Sequence, residues 1–223
     1  MIEIIPAIMP KDYEHLDEMT SLFVGVVPMV QLDIMDGKFV PARTWPYPKD
    51  AHFDAIVAEE EGMPRWEDIN FEVDLMVSDT ESVVSKWVSA GASRIIVHVE
   101  SMVDFEKIRA SVPTGLIELG LAINTTTPVE AIEPYLDRID FIQCMGIAKI
   151  GFQGQPFDEH VLENVRKIRK AHPELPISID GSVNFDTARS LVDAGATRLV
   201  SGSAILEADD FVSAIAEMKN LVS

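Results

Sequence analysis

Asp33, Asp74 and Asp180 stand out in this chain because each sits at or near the carboxyl end of a short apolar, β-branched run. Residues two apart on a strand share one face, so Gln31 and Asp33 point the same way, as do Glu72, Asp74 and Met76, and Ser178 and Asp180. A charge inside a parallel strand is costly unless it is paired, hydrogen-bonded or bound to an ion. Carboxylates converging from several strands suit proton transfer or an oxygen-ligated cation. A plainer reading, in which each aspartate caps a helix or holds a loop amide, fits Asp36 better than these three.

Small residues follow the last strand candidates: Gly151-Phe152-Gln153-Gly154-Gln155, Asp180-Gly181-Ser182 and Ser201-Gly202-Ser203-Ala204. Such stretches let backbone N–H groups approach an anion, and helix N-termini add partial positive charge without basic side chains. Lys149 fits a solvated surface position better than a phosphate contact. Cys144 has no neighbour in sequence that would lower its pKa and reads as buried and inert.

The elements that must carry these residues alternate. Strand candidates are 3–8, 29–34, 71–76, 94–99, 116–123, 140–144, 177–180 and 198–201, separated by amphipathic helical stretches. Ser78-Asp79-Thr80-Glu81 and Thr127-Pro128-Val129-Glu130 read as capping boxes, the second with Pro at the first helical position. Asn184 is positioned to cap a helix carrying Ala188, Leu191 and Val192 and closed by Gly195. The last helix shows Phe211, Val212, Ile215, Met218 and Leu221 as its apolar face. Eight strand–helix units in 223 residues predict a single (β/α)8 TIM barrel, one domain over residues 1–223, with an open doubly wound sheet as the alternative. The units after Ile34 and Cys144 are longer than the rest. In a barrel, loops after strands build the active face.

Composition narrows the partners. The apolar share is 47% and the charged share 25%, an ordinary globular balance. Eighteen Lys and Arg against 37 Asp and Glu give −19, which argues against nucleic acid and anionic membrane surfaces. A single cysteine forms no internal disulfide, so a reducing cytoplasm is the expected setting. The N-terminus lacks the basic start and long apolar stretch of a signal peptide, and no run reaches the length of a membrane span.

Five stretches together resemble the ribulose-phosphate 3-epimerase family: Leu32-Asp33-Ile34-Met35-Asp36-Gly37-Lys38-Phe39-Val40-Pro41, Asp74-Leu75-Met76-Val77, Val97-His98-Val99-Glu100, Gly151-Phe152-Gln153-Gly154-Gln155 and Ile179-Asp180-Gly181-Ser182-Val183-Asn184. The resemblance runs from Ile5 to Ile205. It implies a barrel isomerase of the pentose phosphate pathway that inverts a ketopentose phosphate at carbon 3, interconverting D-ribulose 5-phosphate and D-xylulose 5-phosphate. It implies that Asp33 and Asp180 exchange protons on opposite faces of the substrate through an enediolate. Met35, Met76 and Met145 match pocket-lining methionines, and Gly151, Gly154, Gly181, Ser182, Gly202 and Ser203 would hold the substrate. Family members are commonly oligomeric, so a homo-oligomer is implied only in that sense.

The chain departs from the pattern where the family holds its metal. Gln31 and Asp74 stand where the two metal-binding histidines are expected, and Ala7 replaces a strand-one serine. The loop at Gly146-Ile147-Ala148-Lys149-Ile150 lacks the family's Asn-Pro. The remaining set, Gln31, Asp33, Asp74 and Asp180, is all oxygen; it favours Mg²⁺ or Mn²⁺ over zinc or iron, or no metal at all. Two other functions remain open: an enzyme acting on a different ketose phosphate, and a non-catalytic sugar-phosphate-binding barrel. An aldol-type synthase or decarboxylase is disfavoured, because Glu72-Val73-Asp74 has no lysine.

Overall fold

The structure, a computed structural model, describes residues 2–47, 50–152 and 154–223. Eight parallel strands follow one another in a closed barrel: β1 Glu3–Ile8, β2 Met29–Met35, β3 Asn70–Met76, β4 Arg94–His98, β5 Glu118–Ile123, β6 Phe141–Met145, β7 Ile177–Asp180 and β8 Arg198–Ser201. The helices between them are α1 Tyr13–Phe23, α2 Ala51–Val57, α3 Thr80–Ser89, α4 Phe105–Ser111, a 3-10 helix Val129–Arg138, α5 His160–Ala171, α6 Ala188–Ala194, α7 Ser203–Leu206 and α8 Phe211–Leu221. The expected (β/α)8 TIM barrel is the observed fold. Internal contacts group residues 7–120 as one compact unit and residues 1–6 with 121–223 as another.

Residues 7–120 are organised by the β2–β3 ladder, in register from Met29 against Asn70 to Met35 against Met76. All seven residues of β2 are buried. α3 lays Val84 and Trp87 on the core, and Trp87 packs against Phe53 at 4.7 Å between ring centroids and edge-on to Trp45 at 5.9 Å. In residues 1–6 and 121–223, β1 pairs with β8 from Glu3 opposite Arg198, and β7 lies between β6 and β8. Helices α5, α6 and α8 each bury one apolar stripe, such as Val161, Val165 and Ile168.

Helix starts differ from the sequence expectation. The capping box at Ser78-Asp79-Thr80-Glu81 does not form. Asp79 precedes α3 without a side-chain cap, and Glu81 instead accepts hydrogen bonds from the Val103 and Asp104 amides at 2.7 Å, tying α3 to the start of α4. Pro128 is the N-cap residue rather than the first helical one. The helix it opens is of the 3-10 type with Pro134 inside it, where the missing N–H and the ring disfavour an α-helix. Single aspartates do the capping elsewhere: Asp12, Asp50, Asp104 and Asp210 each accept an amide of the following first turn. Asn184 Oδ1 accepts from the Asp186 and Thr187 amides, so it caps the turn leading into α6 while Thr187 is the N-cap residue. On α8, Val212 is exposed and Ala214 takes the core position.

Trp87 is 1% exposed and packs against both Phe53 and Trp45. Trp87→Ala is expected to lower stability by about 3–5 kcal/mol through cavity formation, measured by urea denaturation.

Candidate active site

Within residues 7–120, β2 and β3 set Asp33 beside Asp74 as register partners, with Gln31 opposite Glu72 below and Met35 opposite Met76 above. Each of these side chains is buried. Gln31 donates from Nε2 to Asp33 Oδ1 at 2.9 Å. Glu72 is an ion-pair partner of Arg94 at 3.2 Å, and Arg94 also meets Glu118 at 3.2 Å, so this carboxylate is a structural member of the barrel interior.

His98, on β4, is fully buried and places Nε2 3.0 Å from Asp74 Oδ1. Glu100 lies 3.8 Å from His98 Nδ1, too far for a hydrogen bond but close enough to act by charge. Burial works against a charge on the ring. The attraction and hydrogen bond of Asp74, with the charge of Glu100, outweigh it and push the imidazole pKa up to about 10. A cationic His98 therefore offsets Asp74 at neutral pH. From sequence alone His98 has no assigned role, because Asp74 and His98 are 24 residues apart and only the β3–β4 register, with Asp74 opposite Ile96, brings them together.

Asp36 closes the rim of this unit. Its Oδ1 accepts from the Lys38 and Phe39 amides, and its Oδ2 from the Ser78 amide and hydroxyl, joining the loop after β2 to the loop after β3. The loop-holding role expected of Asp36 is the one it plays. Phe39, fixed by that clasp, leans its ring toward the His98 imidazole at 5.5 Å.

Within residues 1–6 and 121–223, Asp180 ends β7 as the register partner of Met145, and both are buried. The loop after β6 touches the loop after β7. Gly146 N–H donates to the Asp180 carbonyl at 2.7 Å, and a Cβ on Gly146 would lie 2.1 Å from the Gly181 carbonyl oxygen, so only glycine fits there. Gly181 has a positive φ of 99° and packs against the Ile147 side chain. Ser182 also has a positive φ, and its hydroxyl donates to the Gln155 carbonyl. Gly151 and Gly154 both have positive φ, while Gln153 of the same stretch lies outside the described residues. Gly202 precedes the four-residue α7, which starts at Ser203. Lys149 is exposed. Cys144 is buried, and burial pushes its thiol pKa up to about 12, which leaves it unreactive.

Asp36 yields a pH-dependent prediction. Burial alone would raise its pKa; the hydrogen bonds from Ser78, Phe39 and Lys38 win and hold it below the usual carboxylate range. A depressed folded pKa adds stability that is present above the unfolded value and lost as pH falls through the folded one. Asp36→Asn should cost about 3 kcal/mol at pH 7, since an amide nitrogen would face N–H donors. In denaturation curves that difference should shrink steadily below about pH 4.

No helix among the described residues is long and apolar enough to cross a membrane. A family model described as the ribulose-phosphate 3 epimerase family matches residues 3–206. The chain is 29% identical to the ribulose-phosphate 3-epimerase of Bacillus subtilis (strain 168), covering 98% of this chain and 99% of that one. It is 31% identical to the Rhodobacter capsulatus protein of the same name, over 92% of this chain and 86% of the relative. Among solved structures, a 3-hexulose-6-phosphate synthase superposes with a TM-score of 0.71 at 20% identity, covering all of both chains. A KGPDC from Streptococcus mutans also gives 0.71, at 14% identity over 99% of this chain and 97% of that one. These two likenesses concern the barrel. With its family match spanning nearly every strand and helix, the chain belongs to the ribulose-phosphate 3-epimerase family, a family of isomerases.

Proposed function

We propose that this protein interconverts D-ribulose 5-phosphate and D-xylulose 5-phosphate, and that Asp33 and Asp180 carry the protons. The observation that carries the reading is the retention of both carboxylates, each buried and each at or near the carboxyl end of its strand, in a chain that has lost the family's two metal-binding histidines. The barrel of residues 1–223 is taken as one working domain. Asp33, Asp74 and Asp180 are the carboxylates assigned to the reaction.

The carbon-3 proton is acidified by the neighbouring carbonyl, yet its removal leaves an enediolate whose oxygen must be stabilised. One aspartate takes the proton from one face. The other, protonated, returns a proton from the opposite face, which is what inversion requires. Met35, Met76 and Met145 would give the sugar an apolar wall that excludes water. The amides around Gly151, Gly154, Gly181, Ser182, Gly202 and Ser203 would bind the phosphate without basic side chains, a need set by the net charge of −19. His98 adds a positive charge beside Asp74 and so eases entry of an anionic substrate.

The donor set suits a hard divalent cation. Asp33, Asp74 and Asp180 form a group of carboxylates that could hold a metal ion. The set lacks the nitrogen and sulfur donors that zinc prefers, so Mg²⁺ or Mn²⁺ is the proposed metal. A bound cation would supply Lewis-acid stabilisation of the developing oxyanion. Gln31, offered by the sequence as a further oxygen ligand, commits its amide N–H to Asp33.

Metal-stripped protein, resupplied with Mg²⁺ or Mn²⁺ and given ribulose 5-phosphate in D₂O, should form xylulose 5-phosphate labelled at carbon 3. Asp33→Asn and Asp180→Asn should each lower kcat by about 10²–10⁴-fold while binding of the sugar phosphate persists. Absence of exchange with any divalent metal, alongside normal sugar-phosphate binding, overturns the catalytic reading.

A further inference from the structure

A cavity of about 530 Å³ opens at the amino end of β3, the opposite end of that strand from Asp74 and Met76. It lies between the turn after α2, the 62–69 connection, the first residues of β3 and the C-terminal end of α3, all within residues 7–120. Its apolar lining comes from Ile56, Met63, Ile69 and Phe71, each buried in the fold. Its charged lining is acidic: Glu59, Glu60 and Glu61 contribute, and among the described residues no lysine or arginine does. Glu61 is engaged by the His52 ring at 2.9 Å. Glu59 and Glu60 are exposed, and neither forms an ion pair or side-chain hydrogen bond with a described residue. Trp66 completes the wall at 64% exposure. Its indole is held in place, since a Cβ on Gly62 would lie 2.7 Å from Cδ1 and 2.8 Å from Nε1, and the ring therefore rests on the Gly62 backbone. Met63 and Ile69 anchor the connection that carries it at both ends.

We propose that this cavity binds a small aliphatic polyamine, with its methylene chain on the apolar lining and its ammonium groups on Glu59, Glu60 and the Trp66 ring. An ammonium group is attracted to the face of an indole by the ring quadrupole, and the nearby carboxylates add their charge. α3 ends on the cavity at Ser89 and Ala90, which brings the partial negative charge of a helix C-terminus to the same place. An anion would be repelled here, and a neutral ligand would leave both carboxylates unanswered. A bare metal ion would make no use of the indole or of the apolar lining. The volume falls in the range of small-molecule sites, roughly 300–1,000 Å³, which favours a free amine over a docked protein segment. The cavity stands apart from Asp33 and Asp74, so the proposal does not depend on the reaction assigned to them.

The test is calorimetric titration of spermidine into the full-length protein, with circular dichroism to verify that each variant keeps the barrel. Wild type should bind spermidine saturably. Trp66→Ala should weaken binding by about 3–30-fold, and so should the double variant Glu59→Gln/Glu60→Gln. Glu207→Gln/Glu217→Gln removes the same charge from exposed positions elsewhere and should stay within about twofold of wild type. Absence of saturable binding by wild type overturns the proposal. Equal weakening in the two double variants overturns it as well, because it marks attraction to the net charge of −19 and not to this cavity. Wild-type affinity in Trp66→Ala removes the indole from the site and overturns the assignment. A tetralysine peptide that binds more tightly than spermidine, with the same dependence on Glu59, Glu60 and Trp66, overturns the free amine in favour of a protein segment.

Discussion

The register of β2 against β3 sets two carboxylates side by side in a dry interior, and much of the neighbouring structure answers to that cost. Asp33 and Asp74 would repel each other if left alone. The chain meets the repulsion locally, with the Gln31 amide on one and the His98 ring on the other. Below them, Glu72 has Arg94 as its counter-charge. Each acidic group of this barrel face therefore has a donor from its own or the adjoining strand. The surplus of acid in the chain as a whole is not carried into the interior without compensation.

The other compact unit solves a different problem, which is how to bring backbone close to backbone. Gly146 and Gly181 meet where a side chain would collide, and Ser182 adopts a left-handed backbone with its hydroxyl spent on Gln155. These features shape the loops after β6 and β7 before any ligand is considered. Under the proposed function, a loop held in this way would present amides to a phosphate with little ordering cost on binding. Glycine at 146 and 181 permits that close approach, and the Ser182 hydroxyl ties its loop to Gln155.

The barrel was legible because its signal is periodic. Apolar runs of strand length alternate with helical stripes, and the residues two apart, Gln31 with Asp33 and Ser178 with Asp180, share the buried faces that alternation predicts. Helix starts were less legible. Ser78-Asp79-Thr80-Glu81 has the composition of a capping box, but Glu81 finds better donors in the Val103 and Asp104 amides, a tertiary partner that local sequence cannot reveal. The His98–Asp74 contact was hidden for a related reason. It depends on strand register, and nothing in the spacing of 24 residues sets that register. Asp36, by contrast, could be read as a loop-holder, since two of its partner amides lie within three residues of it.

The placement of the aromatic residues has an optical consequence. All three tryptophans, Trp45, Trp66 and Trp87, fall within residues 7–120, and none within 121–223. Two are enclosed and Trp66 is 64% exposed. Intrinsic fluorescence of this protein is therefore a one-sided signal. Its blue-shifted part comes from the Trp45 and Trp87 environment and its red-shifted, quencher-accessible part from Trp66. Loss of order confined to the segment bearing Asp180 would leave the emission nearly silent, so following that half calls for an absorbance or exchange probe of its own.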